Sequence, residues 1–135
     1  MKNHSLFRYF FVFGILLAFS GCSDGPNTAS VSGVVQIDGL AVESVHVQFV
    51  PKSGERSSIG YTDAKGYYYL RFTEDQAGCI PGDHQVRITA YSDPSNEMSQ
   101  YLPAEYNTKA ADNPEMNVTV KKGRQKFDFQ VTTSQ

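Results

Sequence analysis

From Val31 to the end of the chain, apolar residues recur at every second position in short runs, and each run ends at a cluster of Gly, Asp, Pro or Asn. A period of two puts one side of a strand in a core and the other in water, so the chain is committed to half-buried β-strands rather than amphipathic helices. Strands are expected at 31–37, 44–50, 58–62, 67–73, 84–91, 116–121 and 125–132. Seven short strands predict an all-β, seven-stranded antiparallel sandwich. Parity assigns its core: Val45, Val47 and Phe49; Tyr68, Leu70 and Phe72; Val86, Ile88 and Ala90; Met116, Val118 and Val120; Phe127, Phe129 and Val131. Between the runs, Asp38-Gly39, Asp63-Ala64-Lys65-Gly66, Pro81-Gly82-Asp83 and Lys122-Gly123 place Gly where positive φ is cheap and Asp where its side chain can accept turn hydrogen bonds.

The first thirty residues follow a different logic. Lys2 and Arg8 precede the uncharged run YFFVFGILLAF at 9–19, which leads into Ser20, Gly21 and Cys22. A helix of that run would be roughly 16 Å long, well short of the roughly 30 Å hydrocarbon core of a bilayer. Residues 1–21 therefore read as a signal peptide, with an uncleaved anchor or ordinary secretion as the alternatives. Ser20 and Gly21 before Cys22 resemble a bacterial lipobox, in which the cysteine sulfur takes a diacylglyceryl group and cleavage falls between Gly21 and Cys22; Phe19 stands where that signal usually has Leu. Each buried CH₂ contributes about 0.8 kcal/mol, so two or three acyl chains on Cys22 would hold the chain on a membrane without help from its protein surface. Residues 22–30, the lipidated cysteine and SDGPNTAS, read as a flexible tether, and 31–135 as the folded domain. Ser23 after the cysteine resembles the default sorting signal for the outer membrane, so the expected location is a bacterial cell envelope with the outer membrane favoured.

Charge and residue chemistry narrow the function classes. Twelve Lys plus Arg face fourteen Asp plus Glu; loss of Lys2 and Arg8 with the signal leaves ten against fourteen, a net charge of −4, which disfavours nucleic acid as a partner. Two cysteines cannot make a disulfide scaffold; once Cys22 is lipidated only Cys79 remains, expected as a half-buried small residue or as a site of intermolecular pairing. His46 and His84 have opposite parity and lie in no zinc-type spacing, so no metal site is expected. Asp63 with Asp38 or Asp83 could suggest calcium, but turn chemistry accounts for each. With no Gly-x-Ser-x-Gly elbow, no His-Glu-x-x-His and no phosphate loop, neither a catalytic residue nor a cofactor is expected. The basic run at 121–126 coincides with the last hairpin turn, where lysines discourage edge pairing.

Taken in order, Val31-x-Gly33, Asp38-Gly39, Val45-x-Val47-x-Phe49-x-Pro51, Gly60-x-Thr62-Asp63-x-x-Gly66-x-x-x-Leu70 and Pro81-Gly82-x-x-x-Val86-x-Ile88 form a pattern that resembles the carboxypeptidase regulatory-like, transthyretin-like domain. The likeness extends through Leu102-Pro103, Tyr106-Asn107 and the final hairpin, and is similar to small lipoproteins of planctomycete-type bacteria. His84 replaces an aromatic frequent at that position, and Ala41-Val42 stands where Pro commonly follows the Asp-Gly turn. The resemblance implies a prealbumin-like sandwich and carries no catalytic chemistry.

The expected function is thus a non-catalytic, membrane-anchored envelope module for protein contacts or structural support. The alternative is a carbohydrate-binding module that stacks sugars on exposed tyrosines: Tyr67 and Tyr69, which alternate away from Tyr68, and Tyr101 and Tyr106 in the aperiodic stretch 92–114. A remote alternative, a hydroxyisourate-hydrolase-like enzyme, lacks the C-terminal Tyr-Arg-Gly-Ser of that family. Replacing Cys22 by Ala should abolish incorporation of labelled fatty acid and release the protein from membranes; unchanged labelling would refute lipidation at this position.

Overall fold

A computed structural model of the chain describes residues 26–90 and 102–133. The lipobox, with Gly21 and Cys22, and the candidate Tyr101 lie outside the described residues. The described chain is all-β, with nine strands in two sheets: β1 (Ser30–Ile37), β2 (Leu40–Ala41), β3 (Val45–Pro51), β4 (Ser58–Tyr61), β5 (Tyr67–Tyr69), β6 (Gly82–Ala90), β7 (Asn117–Val120), β8 (Arg124–Lys126) and β9 (Phe129–Val131). One sheet runs β4-β3-β6-β7 and is antiparallel throughout. The other is organised around β1, which pairs antiparallel with β2 and β5 and parallel with β8 and β9.

Three departures from the sequence reading have physical causes. The Asp38-Gly39 turn, with φ of 50° and 81°, folds Leu40 and Ala41 back onto β1 as an extra short strand. The expected strand 125–132 divides into β8 and β9, and it pairs with β1 in parallel. At the break, the Phe127 carbonyl accepts a hydrogen bond of 2.6 Å from the Tyr68 hydroxyl, while the Asp128 carboxylate accepts from the Val34 N–H at 2.8 Å. Register against β1 is the same before and after the break, so no residue is inserted; the Phe127 N–H still donates to the Ser32 carbonyl at 2.9 Å, and it is the Phe127 carbonyl that is diverted from the ladder to the Tyr68 hydroxyl. Finally, the end of the expected tether is pinned. Ala29 is buried and exchanges backbone hydrogen bonds with Cys79, the Thr28 hydroxyl donates to the Ala77 carbonyl at 2.8 Å, and Gln76 donates to the Pro26 carbonyl.

The sheets enclose one apolar core. Val31, Val35 and Ile37 of β1 meet Val45, Val47 and Phe49 of β3 and Val86 and Ile88 of β6, with Tyr68, Leu70, Met116, Val120, Phe129 and Val131 around them. The ring of Phe49 stands edge-on to Phe127 and Phe129 at centroid separations of 5.7 and 6.3 Å. Phe72, Ala90, Val118 and Phe127, expected inside, are half-buried. Phe72 and Ala90 lie at or beyond the end of a strand and Phe127 at the break between β8 and β9, whereas Val118 lies within β7, paired with His84 and packed against the margin of the core.

Gly33 lies under the hydrogen bond that crosses β1. A Cβ at this position would fall 1.8 Å from the Phe127 carbonyl oxygen and 3.0 Å from the Tyr68 ring. Gly33→Ala is therefore expected to destabilise the fold by about 3 kcal/mol or more, at or above the upper end of typical overpacking costs. Gly39→Ala, where nothing lies within 4 Å and only the φ of 81° is strained, should cost about 1 kcal/mol. Urea unfolding of the two variants checks the order; a Gly33→Ala protein as stable as Gly39→Ala would contradict this packing.

Candidate functional site

Two clusters emerge, one buried and one exposed. The buried one joins Cys79 and His84, both fully shielded from solvent. His84 Nδ1 lies 2.9 Å from the Gly82 carbonyl, which can only accept, so that nitrogen carries the proton. The bare Nε2 then faces Cys79 Sγ at 3.2 Å and accepts from the thiol. Cys79 is thus fully buried rather than half-buried, and its partner is a histidine. Burial pushes its pKa up to about 11, partly opposed by the neighbouring Ser58 hydroxyl, and burial lowers that of His84 against the pull of the Gly82 carbonyl. The pair is a neutral thiol and a neutral imidazole; a reactive cysteine needs the opposite shift, toward thiolate. Its place is structural, tying the loop before β6 to the strand.

The acidic residues considered for calcium are dispersed. Asp63 closes its own turn by accepting from the N–H groups of Lys65 and Tyr67. Asp38 accepts from Thr133, which holds its carboxyl below the usual carboxylate range, and Asp83 accepts from the Thr119 hydroxyl at 2.6 Å. Among the described residues, no group of three or more His, Cys, Asp or Glu side chains converges. His46 and His84 lie on opposite faces of their sheet. His46 is half-buried on the outer side with its ring centroid 5.1 Å from that of Tyr61, and burial lowers its pKa.

The exposed cluster is built by β4 and β5. Tyr68 enters the core, so the pleat turns Tyr67 and Tyr69 outward, 52% and 59% exposed. On β4, burial of Ser58 and Gly60 likewise turns out Ile59 and Tyr61, the latter 56% exposed. The two strands belong to different sheets. They are brought together because Ile59 and Arg71 exchange backbone hydrogen bonds of 3.0 and 2.9 Å just past β5. Gly60 permits the approach, since a Cβ there would lie 2.6 Å from the Tyr69 carbonyl oxygen. The result is an open groove of about 640 Å³ that Ile59, Tyr61, Tyr69, Arg56, Arg71 and Phe72 line, with Ser57, Gly60, Thr73 and Glu74 completing it.

Of the tyrosines expected to present a face, Tyr67 and Tyr69 do so, and Tyr69 joins the groove. Tyr106 does not. It is 6% exposed, because the turn Ala104–Tyr106 drops its ring into the core and its hydroxyl accepts from the Thr132 N–H at 3.2 Å. No sequence signal singles out Tyr61, Ile59 or the two arginines as a group. The outward parity of Ile59 and Tyr61 in 58–62 was available, but the meeting of β4 with the segment after β5 is a contact between sheets that no local pattern encodes.

No family model matches the chain, and no curated protein matches it. Among solved structures it is similar to a DUF3823 family protein from Parabacteroides merdae, with a TM-score of 0.46 and 13% identity over 81% of this chain and 48% of that one. The chain spans about half the length of that relative.

The buried pair makes stability depend on pH in two windows. His84 has a folded pKa below its ordinary 6.5, so the unfolded chain binds the extra proton and stability falls as pH drops below 6.5. His46 adds to the same limb. Cys79 keeps its proton in the fold between 9.0 and about 11 while the unfolded chain loses it, so stability also falls as pH rises through that range. Each limb has a slope of up to about 1.4 kcal/mol per pH unit per proton. Urea midpoints at about pH 5, 7.5 and 10 should show a maximum in the middle. His84→Gln should flatten part of the acid limb and Cys79→Ala part of the alkaline limb; parallel profiles for variants and parent would contradict the assignment.

Proposed function

We propose that this chain is a non-catalytic, lipid-anchored module of the bacterial envelope, a prealbumin-like sandwich of the carboxypeptidase regulatory-like type that docks a protein partner in the groove between β4 and β5. The observation that carries the reading is the exposure of Tyr61 and Tyr69 side by side with Ile59 on a frame held by the Ile59–Arg71 hydrogen bonds. Large aromatic and aliphatic side chains normally enter a core; those held outward on rigid strands lose little conformational freedom on binding. Tyrosine and arginine are also enriched among residues that dominate binding energy at protein interfaces. Acyl chains on Cys22 would supply location, with the outer membrane favoured, leaving the groove to supply specificity. Tyrosine faces also suit sugars, and Tyr67 beside Tyr69 keeps a polysaccharide as the second reading.

A photo-crosslinking amino acid at position 59, in cells that make the full lipoprotein, separates the two. The proposal expects a reproducible protein adduct that is lost in Tyr61→Ala/Tyr69→Ala, while the same probe at position 119, on the opposite edge strand, does not yield it. Enrichment of glycan without protein would favour the carbohydrate module, and adducts unaffected by the tyrosine substitutions would refute the groove as the interface.

A further inference from the structure

The groove carries charge as well as apolar surface. Arg56 and Arg71 both line it and are both exposed, and among the described residues neither guanidinium has a carboxylate within 4.0 Å. Arg71 donates instead to the backbone carbonyl of Glu74, a contact that holds its side chain over the groove without neutralising it. The Glu74 carboxylate is the one acidic group in the lining, so the groove is net positive. The chain from Cys22 onward carries ten basic and fourteen acidic residues. A positive groove on an acidic chain runs against the overall charge, and its two cations lie beside apolar side chains rather than in a solvated acid–base network.

Resting on the reading of this groove as a protein-docking site, we infer that its occupant is an acidic peptide segment of a partner protein, with at least one apolar side chain between or beside its carboxylates. Two features select this chemistry. Guanidinium groups recognise carboxylates through paired, charge-assisted hydrogen bonds, which a neutral segment cannot supply. Ile59 and Phe72 offer aliphatic and aromatic surface next to Tyr61 and Tyr69, which a Leu or Phe anchor would cover. An acidic polysaccharide would satisfy the arginines and stack on the tyrosines but leave Ile59 and Phe72 without an apolar partner, so the peptide uses more of the groove. The acidic remainder of the domain would meanwhile repel acidic segments that approach elsewhere, favouring this one approach.

The test uses the full-length lipoprotein in detergent and three fluorescent peptide libraries of fixed composition. One combines Asp and Glu with Leu and Phe, the second replaces the acids by Asn and Gln, and the third replaces them by Lys. The acidic library is expected to bind about tenfold more tightly than the neutral one, the scale of one or two charge-assisted hydrogen bonds. Its affinity should fall as NaCl rises from roughly 50 to 500 mM, since the arginines are exposed and screened. Arg56→Ala and Arg71→Ala should each weaken it severalfold, and Arg71→Lys should recover part of the loss. Equal binding of acidic and neutral libraries, no effect of either arginine substitution, or absence of binding to all three would overturn the inference. Displacement of the acidic peptides by polygalacturonate at lower carboxylate concentration would overturn it in favour of an anionic glycan. If position 59 still crosslinks a protein in a tyrosine-dependent way while the charge preference is absent, the docking reading stands and only the acidic partner fails. Loss of that crosslink removes both.

Discussion

The structure depends on a hydrogen bond that passes over a residue with no side chain. Tyr68 reaches from β5 across β1 to the carbonyl of Phe127, and only Gly33 beneath it leaves room for the ring and the carbonyl together. The phenol is buried, which raises its pKa strongly and makes an unpaired hydroxyl there costly. Satisfying it diverts the Phe127 carbonyl from the β-ladder while the Phe127 N–H still donates to Ser32, and the Asp128 carboxylate accepts from the Val34 N–H in its place. One buried hydroxyl thus accounts for the division of the last strand, the neighbouring exposed carboxylate and the need for Gly33.

The same tyrosine sets the exposed surface. With Tyr68 anchored inward, the pleat leaves Tyr67 and Tyr69 no choice but to face out. The bond pair between Ile59 and Arg71 draws β4 against this strand, so that one side of the sandwich closes with a row of aromatic and basic side chains on it. Cys79 and His84 complete the frame from the other direction: their neutral pair secures the loop that also holds Ala29, and hence the start of β1. The outward tyrosines and the backbone that carries them therefore follow from packing inside the core.

Much of this architecture was legible in residue order. Alternation located the main strands, placed Val45, Val47, Phe49, Val86 and Ile88 in the core, and turned Tyr67 and Tyr69 outward, because parity is a local property of a strand. Asp38-Gly39 and Asp63 through Gly66 marked turns by the conformational freedom of Gly and the acceptor oxygens of Asp. What escaped depends on contacts distant in sequence. The parallel pairing of β8 and β9 with β1, the burial of Tyr106 under the final strand and the docking of residues 26–29 join segments whose own composition does not announce a partner; Cys79 and His84 are only five residues apart, and their pairing depends instead on the path of the loop before β6. The groove falls between these cases. Its tyrosines could be read from parity, but their convergence with Ile59 and Arg71 required the two sheets to be assembled.

On this reading the surface of β4 and β5 is covered when the protein is at work. Hydroxyl-radical footprinting of the lipoprotein in native envelopes, compared with the detergent-purified protein, addresses it directly. Tyr61 and Tyr69 should be oxidised more slowly in the envelope, with residues of β7 and β8 on the opposite edge unchanged. Equal labelling of both tyrosines in the two preparations, or protection confined to the β7 and β8 edge, would contradict it.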